Sequence, residues 1–132
     1  MIRPDDLLSL ADDWIANATE AEWRSAVSRA YYGAFHAARD LFVDLGFAVP
    51  RGAQAHAYLW MRLSNCGDPS LVQARADLAD LLRRRNFADY DIQLDLDQSA
   101  ALTWVQLARA VSQQLAGGSR RARPQPNHRR HP

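Results

Sequence analysis

The fold is decided by the stretch from Ser28 to Arg39, which reads SRAYYGAFHAAR. It lies within a longer pattern of apolar residues that recur at the three- and four-residue spacing of one helix face. Thr19 followed by Glu22 forms a capping-box pattern, which predicts where this helix begins, and Gly46 is suited to end it. The sequence therefore predicts a long central helix on which the rest of the chain packs. Its predicted inward residues are Trp23, Val27, Ala30, Tyr31, Ala34, Ala38, Leu41, Phe42 and Leu45.

Four more helical segments are predicted around this helix. They cover about residues 5–18, 53–63, 68–85 and 97–115, with Asp5 and Asp68 as N-caps and Gly117 as the last stop signal. Residues 89–96 alternate apolar and acidic side chains and could form a short strand, but a loop is preferred because a lone strand has no partner. The expected fold class is all-α, an antiparallel four- to five-helix bundle.

Charge divides the chain of 132 residues into two parts. Residues 117–132 hold five arginines and no acid, which leaves 11 arginines against 15 acids in residues 1–116. The tail also contains two glycines and three prolines, so we expect one bundle domain over residues 1–116 and a disordered basic tail over residues 117–132. Such a tail attracts nucleic acid without sequence preference, or it has no role.

Several classes of protein and site are unlikely on composition. No apolar run is long enough to cross a membrane, and the N-terminus lacks the apolar region of a signal peptide, so we expect a cytoplasmic protein. A single cysteine, Cys66, excludes an intrachain disulfide and a four-thiol zinc site. His36 and His56 have no ligand-type residue at a suitable spacing, so no metal is expected. Because glycine-rich phosphate loops and hydrolase motifs are also absent, we expect no cofactor.

A second informative stretch runs from Arg85 to Tyr90 and reads RNFADY. Together with residues 28–39, it resembles the HEPN family, small helical bundles often found beside nucleotidyltransferases. Its ribonuclease members carry Arg, a polar residue, three variable positions and then His. Arg85 and Asn86 fit that pattern, whereas Tyr90 stands in place of the histidine. The resemblance covers about residues 5–115.

For the ribonuclease members, the resemblance implies metal-independent cleavage in which the 2′-hydroxyl of the RNA attacks the neighbouring phosphate, at a groove completed by a two-fold dimer. Arg85 would clamp the phosphate and Asn86 would orient it. Tyr90 has a reference pKa of about 10 and is a poor general base at neutral pH. The ending ADYD, at residues 88–91 in place of the histidine, also resembles a prokaryotic branch of the family whose members need not be nucleases.

The alternative for this stretch is structural. Arg83, Arg84 and Arg85 would then cluster at a helix C-terminus because cations suit its dipole, and they would pair with Asp89 and Asp91.

Arg29, Tyr32 and His36 share one face of the central helix, since they lie three and seven residues apart. They are predicted to line a ligand-binding groove or a dimer face. In the structural alternative, Tyr32 and His36 are half-buried at a helix–helix seam.

Two hypotheses of function remain open. In the first, the chain binds RNA or a nucleotide phosphate through Arg85, in a toxin–antitoxin or defence system with a nucleotidyltransferase antitoxin as partner. It would act as a homodimer, or as a heterodimer with a similar subunit. In the second, it is a non-catalytic interaction subunit.

Overall fold

The computed structural model describes the backbone of residues 1–122 and the side chains of residues 1–118. These residues form five helices: α1 (Pro4–Ile15), α2 (Glu20–Asp44), α3 (Gln54–Ser64), α4 (Pro69–Tyr90) and α5 (Gln98–Ala122). No strand occurs in residues 1–122, and the segment 91–97 is a loop. The all-α prediction is therefore confirmed.

Helix α2 is the centre of the bundle and packs against α1, α4 and α5, while α3 packs on α4. Its ends are set by local sequence: Thr19 Oγ1 accepts a hydrogen bond from the Glu22 backbone N–H, and Gly46 has a φ of 94°. The predicted apolar face is buried from Val27 to Phe42. Burial of this stripe against three other helices is the main stabilising contribution to the fold.

Contacts between helix ends show how the neighbouring helices run. The start of α2 meets the end of α4, where Ser28 bonds to Asp89, and the start of α5 meets the end of α1, where Gln98 bonds to the Ile15 carbonyl. Leu71 of α4 lies against Gly118 of α5. These neighbours are antiparallel, as the short connections predict.

Four predicted boundaries are wrong. Helix α1 ends at Ile15 instead of near residue 18. Helix α1 begins at Pro4 rather than being capped by Asp5, because Pro suits the first helical position and Asp6 accepts the Arg3 backbone N–H at 2.8 Å. Helix α4 continues through Arg85 to Tyr90 instead of ending near Arg85.

Helix α5 passes through Gly117 to Ala122. A Cβ at Gly118 would lie 2.5 Å from Leu71 Cδ2, so the glycine permits close packing of α5 on α4 that offsets its poor helix propensity. The predicted disordered tail thus begins within a helix; residues 123–132 lie outside the described part of the chain, and their disorder stays a prediction.

None of the helices in the described residues combines the length and the apolar character needed to span a bilayer.

Candidate functional site

Arg85 lies in the last part of α4, on the side that faces α2. Its side chain is 19% exposed, and its Nε is 2.9 Å from Asp89 Oδ2, one turn further along the helix. This is an ion pair by distance, but the N–H is not directed at the carboxylate, and the buried Nε has no hydrogen-bond acceptor within the described residues. An external ligand cannot reach this buried Nε, so any contact with the guanidinium falls to its Nη groups.

Two tyrosine rings lie close to the Arg85 guanidinium. Its central carbon is 5.2 Å from the ring centre of Tyr32 on α2 and 5.5 Å from that of Tyr90. The Nη1 group donates a hydrogen bond to Asn86 Oδ1 at 3.0 Å. Aromatic faces attract a cation and restrict its motion, so the guanidinium is held in place by its surroundings. The structure brings Arg85, Asn86, Tyr90 and Tyr32 together.

Asp89 joins this arginine to the central helix. Ser28, buried on α2, donates from its Oγ to Asp89 Oδ2 at 3.1 Å, the same oxygen that faces Arg85 Nε. The carboxylate is thereby fixed from one side by a hydroxyl and from the other by a cation. This network ties the end of α4 to α2 at the position of the motif.

The predicted pairing of all three arginines with Asp89 and Asp91 is correct only for Arg85. Arg83 Nη2 lies 2.7 Å and Arg84 Nε 3.6 Å from Asp80, one turn back along α4. Asp80 lies three residues before Arg83 and four before Arg84, and side chains at these spacings are neighbours on a helix. Of the three arginines, only Arg85 points into the α2 interface; the Arg83 side chain is 72% exposed.

Tyr90 occupies the last position of α4 and is 68% exposed. Its ring contacts the Arg85 guanidinium on one side, and the rest of the side chain is open to solvent. An exposed phenol beside an arginine can stack on a base or donate a hydrogen bond to a phosphate oxygen.

Arg24 fixes the backbone around Tyr90, a role that the sequence did not reveal. It is buried on α2, and its guanidinium donates to the carbonyls of Phe87 (3.3 Å), Ala88 (3.0 Å), Asp91 (3.3 Å) and Leu94. Its Nε pairs with Glu20 at 2.8 Å. The last carbonyls of a helix lack partners within the helix, and Arg24 donates to the Ala88 carbonyl of α4, whereas the Phe87 carbonyl also accepts the Asp91 backbone N–H.

His56 on α3 provides an imidazole near this site. Its Nδ1 is 2.9 Å from the Tyr31 hydroxyl, and the two rings are stacked at an interplanar angle of 10°. Burial, and then the positive charge of Arg85, lower the pKa of His56. Burial raises the pKa of Tyr31, so its phenol stays protonated and can donate to a neutral His56. His56 is therefore a neutral imidazole at neutral pH, within the electrostatic reach of Arg85.

Arg29, Tyr32 and His36 do share one face of α2. The Arg29 guanidinium lies 5.7 Å from the Tyr32 ring centre, and the Tyr32 and His36 rings are 6.4 Å apart. Tyr32 and His36 are half-buried, and burial lowers the pKa of His36, which Asp40 partly opposes. Only Tyr32 of the three contacts Arg85. Whether this face binds a ligand or a second protomer stays a prediction.

His36, His56 and Cys66 do not form a metal-binding set. Within the described residues, no three His, Cys, Asp or Glu side chains come together as ligands. Cys66 is exposed, and its Sγ lies 3.1 Å from the Leu63 carbonyl oxygen.

Sequence reasoning missed Ser28, Tyr31 and Arg24 as parts of the site. Tyr31 was assigned only to the apolar face of α2, and nothing in the local sequence shows that its hydroxyl meets His56. The one sequence signal for Arg24 was Glu20, an acid four residues earlier on the same helix, which predicts an ion pair with Arg24.

Comparison with known protein families matches residues 8–117 to the HEPN domain. Comparison with curated proteins gives no match. The match spans most of the chain and includes both stretches that carried the resemblance, and it supports a nucleotide- or RNA-binding or ribonuclease-like module. The chain belongs to the HEPN family.

Proposed function

We propose that this protein binds RNA or a nucleotide phosphate through Arg85, in a toxin–antitoxin or defence system with a nucleotidyltransferase partner. The observation that carries the proposal is the Arg85 guanidinium, which belongs to a side chain that is 19% exposed and is held beside the rings of Tyr32 and Tyr90. Guanidinium groups recognise phosphate oxygens by paired hydrogen bonds, and tyrosine faces stack on bases. Membership in the HEPN family supports a ligand of this chemical class.

Cleavage of RNA requires more chemistry than phosphate binding does. Cleavage by an internal 2′-hydroxyl needs a group that exchanges protons near neutral pH, and a cation that stabilises the phosphorane. Arg85 provides the cation. His56 has the required chemistry, but its Nδ1 is engaged by Tyr31, and it does not occupy the motif position that Tyr90 fills. We therefore expect the wild-type protein to cleave RNA slowly or not at all.

Binding of a labelled single-stranded RNA, measured by fluorescence anisotropy at several salt concentrations, tests the proposal. Arg85→Ala should weaken binding about tenfold or more, because hydrogen bonds to charged groups contribute roughly 1.5–3 kcal/mol. Arg83→Ala is the matched control: the same residue type two positions away, 72% exposed and paired only at the surface. Equal affinity of wild type and Arg85→Ala would refute the proposed role of Arg85.

A second function, a non-catalytic interaction subunit, is favoured by a different observation. The last residue of α4 and the loop after it expose three large apolar side chains: Tyr90 at 68%, Ile92 at 71% and Leu94 at 58%. Clustered apolar side chains on a surface commonly mark contact with another protein. This segment adjoins Arg85, so a partner seated there would complete or cover the phosphate site.

Self-association is a prediction of the first hypothesis and can be measured directly. We expect a homodimer at micromolar concentration, because two-fold pairing is the commonest way to cover such a face. Sedimentation of the wild type and of Ile92→Asp tests it; the variant should shift the equilibrium toward monomer if this loop is the interface. A wild-type protein that remains monomeric, with no partner present, would remove the idea of a composite groove.

A further inference from the structure

A cleft with a cationic lining opens beside the Arg85 site, between α2 and the beginning of α3. It has a volume of about 530 Å³, within the range of small-ligand sites. Its polar lining comes from Tyr32, His36, Arg39, Arg51 and His56, and no carboxylate is among its lining residues. In a protein body whose net charge is negative, a cleft lined only by basic and neutral groups selects for anions.

The two arginines of the cleft, Arg39 and Arg51, differ in their exposure to solvent. Arg39 is half-buried and donates from Nη1 to the Pro50 carbonyl at 3.0 Å, which holds the loop between α2 and α3 against the bundle. Arg51, next in that loop, is exposed at the cleft. Arg39 thus shapes the wall and Arg51 is available to a ligand. The nearest acid along α2, Asp40, lines a different cleft at the N-terminus.

The backbone at the start of α3 adds to this electrostatic preference. Ala53, the N-cap of α3, provides no side-chain hydrogen bond to the first turn, and it lines the cleft together with Ala55 and His56. The first amide groups of a helix carry partial positive charge. Gly52 has a φ of 73°, which lets the chain turn into α3 without a side chain filling the cleft.

Tyr32 connects the cleft to the Arg85 site. Its ring lines the cleft and also lies 5.2 Å from the Arg85 guanidinium. The His56 imidazole lines the same cleft and feels the charge of Arg85. A ligand with two phosphate groups, or with a phosphate and a base, could therefore contact both cationic places and lie against Tyr32 between them.

We infer that this cleft is a second phosphate subsite, in which Arg51, His36 and His56 bind a phosphate group of the same RNA or nucleotide ligand that Arg85 binds. The inference rests on the proposed function for the identity of the ligand. The location of the subsite is inferred from the cleft itself. Arg51 provides the charged contact, the two imidazoles provide hydrogen-bond donors, and Tyr32 provides a stacking surface.

Salt-dependent binding of a fluorescently labelled, 5′-phosphorylated single-stranded RNA tests this subsite in the full chain. Arg51→Ala should weaken binding about tenfold and reduce the slope of log affinity against log salt by about 0.7, the contribution of one phosphate contact to a single strand. Arg51→Lys should restore most of the slope, since it keeps the charge. Arg83→Ala should leave both quantities unchanged, and His36→Gln should weaken binding without changing the slope at a pH where the imidazole is neutral.

The outcomes separate this inference from the proposed function. If Arg85→Ala abolishes binding while Arg51→Ala and His36→Gln match the wild type, the Arg85 site stands and the second subsite is refuted. If Arg51→Ala weakens binding while Arg85→Ala does not, the cleft binds the phosphate and the proposed role of Arg85 falls. Because Arg51 is exposed in a loop, its substitution should leave the circular dichroism spectrum and the thermal midpoint unchanged, so a loss of binding cannot be attributed to unfolding.

Discussion

Replacement of Arg24 by methionine should destabilise the bundle far more than replacement of any surface arginine. Methionine keeps an unbranched apolar side chain but removes every donor and the guanidinium carbon that lies 5.5 Å from the ring centre of Phe87. The guanidinium now serves four carbonyls and the Glu20 carboxylate. Of these carbonyls, that of Ala88 belongs to a buried residue, whereas Asp91 and Leu94 are exposed residues whose carbonyls water can reach after the substitution.

The magnitude follows from which groups remain without a partner. A buried acceptor without a partner costs about 1–3 kcal/mol, and the exposed carbonyls add little once they are hydrated. We therefore expect a loss of about 1–3 kcal/mol in the free energy of unfolding. For a domain of this size each kcal/mol shifts the thermal midpoint by roughly 4 °C, so the midpoint should fall by about 4–12 °C.

Urea denaturation followed by circular dichroism measures this loss, with Arg83→Met as the matched control. Arg83 has one exposed ion pair with Asp80, and its replacement should cost at most about 1 kcal/mol. Arg24→Met should also weaken RNA binding beyond its effect on stability, because the turn that carries Tyr90 loses its anchor. A loss in Arg24→Met no larger than that in Arg83→Met would show that these hydrogen bonds do not hold the end of α4.

The other predictions concern chemistry, pH and the tail. Tyr90→His should raise metal-independent RNA cleavage by about 10²–10⁴-fold in a labelled-RNA digest with EDTA, and adding Arg85→Ala should abolish that gain; robust wild-type cleavage that survives Arg85→Ala would contradict this assignment. Because burial lowers the pKa of His36 and His56, the unfolded chain binds more protons than the folded chain just below about pH 6.5, so the free energy of unfolding should fall as pH drops from about 7 to 5.5. His36→Gln with His56→Gln should flatten that dependence in urea titrations, and an unchanged slope would show that other groups cause it. Deleting residues 123–132 should leave the thermal midpoint unchanged and weaken RNA binding only through a salt-sensitive contribution; a midpoint lowered by several degrees would mean that the tail docks on the bundle.

Local sequence was sufficient to predict the helices, because their signals are local. The capping of α2 by Thr19, the start of α4 at Asp68 and Pro69, and the turn at Gly46 each depend on residues within one turn of the boundary. The apolar face of α2 follows from periodicity alone. These features require no knowledge of what the helix packs against.

The C-terminal ends of α4 and α5 were predicted wrongly because they depend on distant contacts. Gly117 looks like a stop signal, but the Leu71 side chain packs against the neighbouring Gly118 and makes the helical conformation favourable there. The extension of α4 to Tyr90 depends on Arg24, which lies more than sixty residues earlier and provides donors for the last carbonyls. Propensity is a weak preference that tertiary contacts override.

The sequence predicted the motif residues of the candidate site but not the residues that distant helices bring to it. The motif identified Arg85, Asn86 and Tyr90 by resemblance, and Tyr32 by its position on the helix face. No spacing in the sequence indicates that His56 of α3 lies within the influence of Arg85, since that proximity depends on how α3 packs across α2 and α4. The Tyr31 hydroxyl was hidden for the same reason, because periodicity treats the residue only as apolar.

The ion pair with Asp89 determines how Arg85 can act. A mobile arginine loses side-chain entropy when it binds a phosphate, which weakens binding. Here Asp89 and the Tyr32 ring hold the guanidinium in place before a ligand binds. The same carboxylate repels a phosphate, so binding must use the edge of the guanidinium that is turned away from Asp89. Ser28 donates to the carboxylate oxygen that faces Arg85 and draws its charge toward α2. The orientation of Arg85 and the direction from which a phosphate can approach are thus set by the same three side chains.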